Sequence, residues 1–257
     1  MSIMICVPVY NRKMITELAL ENLQKYKGDG NELWVYNDWS TEYDNDFIEP
    51  LCDRVVKLPA STSIVVKNEN NKNGMGVASL RWQQFRDFLR EDRFDYIYFT
   101  DSDAIHDPNF INILLETYNK YKLKNGDKIP ICLYDTVWHS QPQNLLKDGV
   151  DVYMRRYAPG ISHFYSKDMV KKIVSVLDSL SEVKIYGWDY QTSDYLKLPF
   201  ITTKISYVEH FGAVKESMHT PQGQWDRDRA NNPTQYLQDN RNFIISYLEG
   251  VGEKPNI

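Results

Sequence analysis

Residues 3–26 read IMICVPVYNRKMITELALENLQKY: an unbroken apolar run from Ile3 to Val9, a break at Tyr10-Asn11-Arg12, then Met14, Ile15, Leu18, Ala19, Asn22, Leu23 and Tyr26 at helical spacing. This pattern predicts strand, loop, helix. Gly28-Asp29-Gly30 ends the helix, Glu32–Asn37 reads as a second strand, and Asp38-Trp39-Ser40 forms the loop after it. A weaker helix from Phe47 to Cys52 and a short strand at Arg54–Leu58 make a third unit. Helices between strands at these lengths imply parallel pairing with right-handed crossovers, and so an α/β architecture.

The alternation continues. After the asparagine-rich stretch Lys67–Asn73, Gly74 and Gly76 open a helix carrying Val77, Leu80, Phe85, Phe88 and Leu89. Tyr96–Thr100 is then a buried strand ending in Asp101-Ser102-Asp103, and Asp107 and Pro108 supply an N-cap and first-turn proline for a helix with Phe110, Ile111, Leu114, Leu115, Tyr118 and Tyr121 on one face. The second half is less regular. It holds a strand near Ile129–Tyr134, a polar loop from Trp138 to Gly149, a strand at Tyr153–Tyr157 and a helix from Met169 to Leu180. A half-buried strand over Ile201–Val208 runs into Glu209-His210-Phe211-Gly212, and a final helix spans Pro233 to Leu248 with Tyr236, Leu237, Phe243, Ile244, Tyr247 and Leu248 on one side. No linker divides the chain.

Composition narrows the classes. The 257 residues are 42% hydrophobic and 25% charged, which excludes disorder and coiled coil as whole-chain readings. A net charge of -5 leaves no global positive field for phosphate backbones or anionic lipid. The longest apolar run, Ile3–Val9, is too short to span a membrane and lacks a basic segment ahead of it, so no span or signal peptide is expected. Cys6, Cys52 and Cys132 lie far apart without CxxC spacing, as reduced thiols of a cytoplasmic protein do.

Polar residues at the C-terminal end of a buried strand are where ligands bind in open α/β sheets. Asp101-Ser102-Asp103 places two carboxylates where hard oxygen ligands meet one Mg²⁺ or Mn²⁺, an ion that would neutralise a diphosphate. The plainer reading of a lone DxD is an Asp-rich turn capping the next helix. Two further features shift the balance. Tyr10-Asn11-Arg12 and Asn37-Asp38-Trp39-Ser40 form two polar loops at the same sheet edge, with Asp38 able to accept from a nucleobase or ribose, though turn chemistry alone accounts for such residues. His210, just past a strand, offers an imidazole to the same metal.

The order VPVYNR, NDWS, NGMGVASLRW, YFTDSDAIHDPNF, YGWDY and VEHFG resembles the GT-A glycosyltransferases, especially the nucleotide-sugar-dependent family 2 group, over roughly the first 210 residues. The resemblance implies a GT-A (Rossmann-like) α/β fold with a mostly parallel sheet. It implies one continuous domain, with a nucleotide-sugar-binding half (1–125) and an acceptor-binding half (126–257). It assigns the donor nucleotide to Pro8, Tyr10, Arg12, Asp38, Gly76, Arg81, Asp101 and Ser102, and the metal to Asp101, Asp103 and His210. Asp189 in Gly187-Trp188-Asp189 becomes the base, with Asp194 a weaker candidate, and Trp188 and His163 face the acceptor. NDWS stands where DDGS-like sequences are common. The implied cofactors are Mn²⁺ or Mg²⁺ and a nucleotide-sugar donor, a UDP-sugar by family frequency.

The implied reaction is sugar transfer from a nucleoside diphosphate to an acceptor hydroxyl, with inversion. The acceptor stays open among a glycan, a lipid-linked sugar, a protein and a modified DNA base. Two alternatives stand beside it: a nucleotidyltransferase, against which only Arg12 and Lys13 follow the first strand, and a non-catalytic nucleotide- or sugar-binding module of the same fold. Arg227, Arg229 and Arg241 near the C-terminus are matched by Asp226, Asp228 and Asp239, as in a solvated loop. His106 is expected at the surface, and His139 and His219 lack partners at metal-ligand spacing.

Overall fold

A computed structural model describes residues 1–58, 77–121, 123–124, 126, 128–137, 139–179, 188–212 and 229–257. Expectations for Lys67–Asn73, Gly74, Gly76, Trp138, Gly187, His219 and the stretch holding Asp226, Arg227 and Asp228 lie outside the described residues.

The first half alternates as its periodicity requires: β1 (Ile3–Val9), α1 (Lys13–Tyr26), β2 (Glu32–Asn37), a short α2 (Asn45–Ile48), β3 (Arg54–Lys57), α3 (Val77–Arg90), β4 (Tyr96–Thr100), β5 (Ala104–His106) and α4 (Phe110–Lys120). The second half comprises β6 (Ile131–Cys132), β7 (Leu145–Asp148), β8 (Val152–Arg155), β9 (Ser162–Ser166), α5 (Lys167–Ser179), α6 (Trp188–Leu196), β10 (Phe200–Thr203), β11 (Val208–His210) and α7 (Gln235–Leu248). Nine strands form one sheet in the order β3-β2-β1-β4-β9-β6-β10-β8-β7, and β5 pairs with β11 in a separate ribbon. Only β9 and β8 run against the common direction of the large sheet, because β4–β9, β6–β9, β10–β8 and β7–β8 are its antiparallel pairs.

Every residue of β1 is buried, as a central parallel strand covered on both faces must be. Pro8 is tolerated there because the register with β4 stops at Cys6, so its missing amide interrupts no β1–β4 bond. From β1 the chain moves outward to β2 and β3, then returns across β1 to β4. Right-handed crossovers put α1 and α3 on opposite faces, and a crevice opens where the strand order reverses, beyond the C-terminal ends of β1 and β4. The main core lies around this sheet; a second core joins Ile15, Leu18 and Ala19 of α1 to Ile105, Phe211, Leu237, Ile244 and Leu248.

Three expectations change. The period-2 run over 201–208 is not one strand: it breaks between β10 and β11, with Ile205 exposed at the turn, so that one end joins the large sheet and the other the ribbon. His163, expected to face the acceptor, lies in β9, wedged antiparallel between β4 and β6. Phe243 of α7 is exposed, while Leu237, Ile244 and Leu248 make that helix's buried face. None of the described helices is long and apolar enough to cross a membrane.

Candidate active site

The C-terminal end of β1 turns through two consecutive left-handed residues, Asn11 (φ 53°) and Arg12 (φ 61°). Neither is glycine, so the turn is strained unless its surroundings hold it. They do. Asn11 Oδ1 accepts from the Thr41 amide (2.7 Å), the Thr41 hydroxyl (3.2 Å) and the Glu42 amide (3.2 Å), its amide donates to Ser40 Oγ (3.0 Å), and its carbonyl accepts from Tyr43 Oη (2.9 Å). The loops after β1 and β2 are thereby one unit, and the Asp38 amide adds a bond to the Val9 carbonyl (2.8 Å). Asp38 is buried at this edge, Tyr10 half-buried, and Trp39, also left-handed (φ 64°), exposed.

From this turn Arg12 reaches across the crevice. Its Nη1 donates to Asp103 Oδ2 (2.6 Å) and its Nη2 to the Gly212 carbonyl (3.1 Å). The ribbon brings the third member: β5 follows Asp103 directly and pairs with β11 in the register His210↔Ala104, and the Phe211 amide donates to the Asp103 carbonyl (2.9 Å). His210 Nε2 consequently lies 3.2 Å from Asp103 Oδ1. Burial on its own would raise the Asp103 carboxyl, but His210 and Arg12 outweigh it and hold the group well below the usual carboxylate range.

The donor set fits a divalent cation. Asp103 Oδ1 and His210 Nε2, 3.2 Å apart, are donor types that would hold Mg²⁺ or Mn²⁺. That oxygen is buried without hydrogen-bond geometry to any described residue. Gly212 keeps the space clear: a Cβ there would lie 2.5 Å from His210 Nε2 and closer still to Asp103 Oδ2. No third His, Cys, Asp or Glu completes a cluster with them among the described residues.

Asp101 is engaged otherwise. The wholly buried Arg81 donates to Asp101 Oδ1 (2.5 Å), to the carbonyls of Thr100 (2.8 Å) and Cys6 (3.4 Å), and to Gln84 Oε1 (3.1 Å). Its guanidinium lies 5.0 Å from the Phe99 ring and 5.1 Å from the Trp188 ring. Arg81 thereby ties β1 to the end of β4 and turns Asp101 toward the crevice. Ser102 is half-buried in the turn between the two acids.

Asp189 stands in the first turn of α6, where its Oδ1 accepts from the Tyr190 amide (3.0 Å). Burial raises its carboxyl to about 6, and the charge of Asp101 adds to the rise. Asp194 is exposed farther along the helix. The two acceptor-side candidates are both buried. Trp188 is 8% exposed, edge-on to Phe99 and His163, and so tight on Gly160 that a Cβ there would meet its ring at 2.6 Å. His163 is fully buried, with Nε2 3.1 Å from the Ala158 carbonyl and Nδ1 2.8 Å from Tyr165 Oη. His106, expected outside, is also buried, its Nε2 3.0 Å from Tyr98 Oη. Pro8 is buried within β1, and Gly76 is outside the described residues. Gly212 and the exposed Tyr190, whose ring centroid is 4.2 Å from that of Tyr157, carried no signal beyond their neighbours in EHFG and WDY.

Residues 4–173 match Glycosyl transferase family 2, well over half of the chain. The chain belongs to glycosyl transferase family 2. Its fold is shared with S. aureus TarS 1-349 in complex with UDP-GlcNAc (TM-score 0.54, 16% identity, 81% of this chain and 58% of that one). A mycobacterial protein is similar at TM-score 0.53 and 16% identity, over 98% of this chain and 76% of that one. At such identities the likeness is one of fold, the GT-A arrangement, and this family 2 chain spans less than two thirds of TarS 1-349. No curated protein matches it.

Proposed function

We propose that this family 2 glycosyltransferase moves a sugar from a nucleoside diphosphate, a UDP-sugar, to an acceptor hydroxyl with inversion, using Mn²⁺ or Mg²⁺ held by Asp103 and His210. The observation that carries the reading is the 3.2 Å approach of Asp103 Oδ1 and His210 Nε2 over the space that Gly212 leaves clear. A bound divalent cation supplies Lewis-acid neutralisation of the departing diphosphate. The chain's residues do the rest. Tyr10 and Asp38 border the nucleotide, with Asp38 accepting from base or ribose, and Asp101, turned outward by Arg81, sits beside the donor.

Asp189 takes the proton of the attacking hydroxyl. The acceptor oxygen bonds to the anomeric carbon as the bond to the diphosphate oxygen breaks, and the electron pair leaves with the diphosphate. A carboxyl near 6 suits this role, since a base works best when its pKa lies near the operating pH. Trp188 and His163 act from beneath as positioning residues, and Tyr190 with Tyr157 is the aromatic surface offered to the acceptor. The cysteines are free, consistent with a reducing, cytoplasmic setting.

Release of sugar from a panel of nucleotide sugars, with and without Mn²⁺, tests the reading. Mn²⁺-dependent hydrolysis abolished by Asp103→Ala is the expected result. Binding of nucleotide sugars without any turnover, with or without acceptors, would favour a non-catalytic module instead.

A further inference from the structure

Arg12 is bonded to the carboxylate that the cation reading assigns to a metal. Its Nη1 is 2.6 Å from Asp103 Oδ2, while Oδ1 of the same carboxylate faces His210. The two side chains keep only 20% and 11% of their surface in water, so the pair is weakly screened. The contact is also built in. Arg12 reaches Asp103 from a left-handed backbone, and the five hydrogen bonds to Asn11 described above hold that backbone in place, as does the bond from the Thr16 amide to the Arg12 carbonyl (3.1 Å). A second bond, to the Gly212 carbonyl, fixes the guanidinium against the residue whose missing side chain leaves the cation space.

We infer that Arg12 is a resident counter-charge at Asp103 that opposes the divalent cation when the donor is absent and passes to the diphosphate when it arrives, so that metal and donor bind cooperatively. The inference rests on the cation reading of Asp103 and His210. Its physical basis is charge balance: a guanidinium and a divalent ion on one carboxylate repel each other, and the anionic diphosphate reverses the sign of their interaction by attracting both. Linkage then requires that UDP tighten metal binding by the same factor as metal tightens UDP binding.

Mn²⁺ titrations of the full chain, with and without UDP, test this in wild type, Arg12→Gln, Arg12→Ala and Asp103→Asn, with thermal melts to verify folding. Without UDP, Arg12→Gln and Arg12→Ala should each bind Mn²⁺ about tenfold more tightly than wild type, because a positive charge next to the ligand is gone. The factor by which UDP tightens Mn²⁺ should shrink in both. Folded Arg12 variants with unchanged or weaker Mn²⁺ affinity, alongside loss of Mn²⁺ binding in Asp103→Asn, overturn the inference alone. Equal Mn²⁺ affinity in wild type and Asp103→Asn overturns the cation reading and the inference with it.

Discussion

Replacing Gly212 with alanine probes the proposed cation site with a single methyl group. The added Cβ would stand 2.5 Å from His210 Nε2 and closer still to Asp103 Oδ2, so each side-chain end must retreat by about 1 Å to restore ordinary van der Waals separation. Both atoms are at the ends of side chains that can swing, so the stability cost stays near the bottom of the overpacking range, about 1 kcal/mol. Ligand geometry is less forgiving, and disturbance around a metal site typically lowers affinity by about 10- to 100-fold. Gly160→Ala is the matched control: its Cβ would meet Trp188 Cζ2 at 2.6 Å, a rigid ring held in the core, so about 2–3 kcal/mol of stability is lost. Urea denaturation and Mn²⁺ titration of both variants should therefore give opposite orders, with Gly212→Ala the more stable and the poorer Mn²⁺ binder. A Gly212→Ala protein that binds Mn²⁺ as wild type does would refute the placement of the cation between Asp103 and His210.

Asp189→Asn should lower transfer by about 10²–10⁴-fold while nucleotide binding is kept. The wild-type rate should climb as pH rises through about 6, where the Asp189 carboxyl loses its proton, and level off above it. The sign for stability is the opposite. Native Asp189 holds its proton more tightly than the unfolded chain, whose carboxyl titrates near ~3.9, so its contribution is full below that value and is lost as pH rises through about 6. Urea curves of wild type and Asp189→Asn should accordingly separate above pH 6, the variant being the more stable. Arg81→Met removes a fully buried partner of Asp101, Thr100 and Cys6 and should cost about 3 kcal/mol in urea denaturation, an unchanged midpoint counting against its role as a tie. Trp39→Gly relieves a left-handed backbone (φ 64°) at a bulky, exposed residue and should raise stability by about 1 kcal/mol, visible as a higher melting temperature.

Local pattern was enough where a strand is buried on both faces and a helix on one. β1, β2 and β4 begin and end at the residues that periodicity indicates, and α1 and α3 follow within a residue or two. The acids Asp101, Asp103 and Asp189 and the imidazole of His210 were legible too, because polar residues directly after apolar strands or at a helix start interrupt a pattern that otherwise serves the core. The sequence by itself also set the order of these units and, through it, the crevice between β1 and β4.

Partnership was decided only in three dimensions. Nothing local says that β11 leaves the large sheet to pair with β5, yet that pairing brings His210 beside Asp103. Nor does local pattern distinguish a histidine that meets a carboxylate at the crevice from one that fills the core. Inserting β9 between β4 and β6 buried His163, and packing on Gly160 buried Trp188. Arg81, polar by type, went inside because carbonyls from two strand ends and one carboxylate met its guanidinium there. The physical reason is common to all of these: periodicity records which side of an element avoids water, whereas hydrogen-bond and charge partners come from segments far apart in the chain that only the assembled sheet brings together.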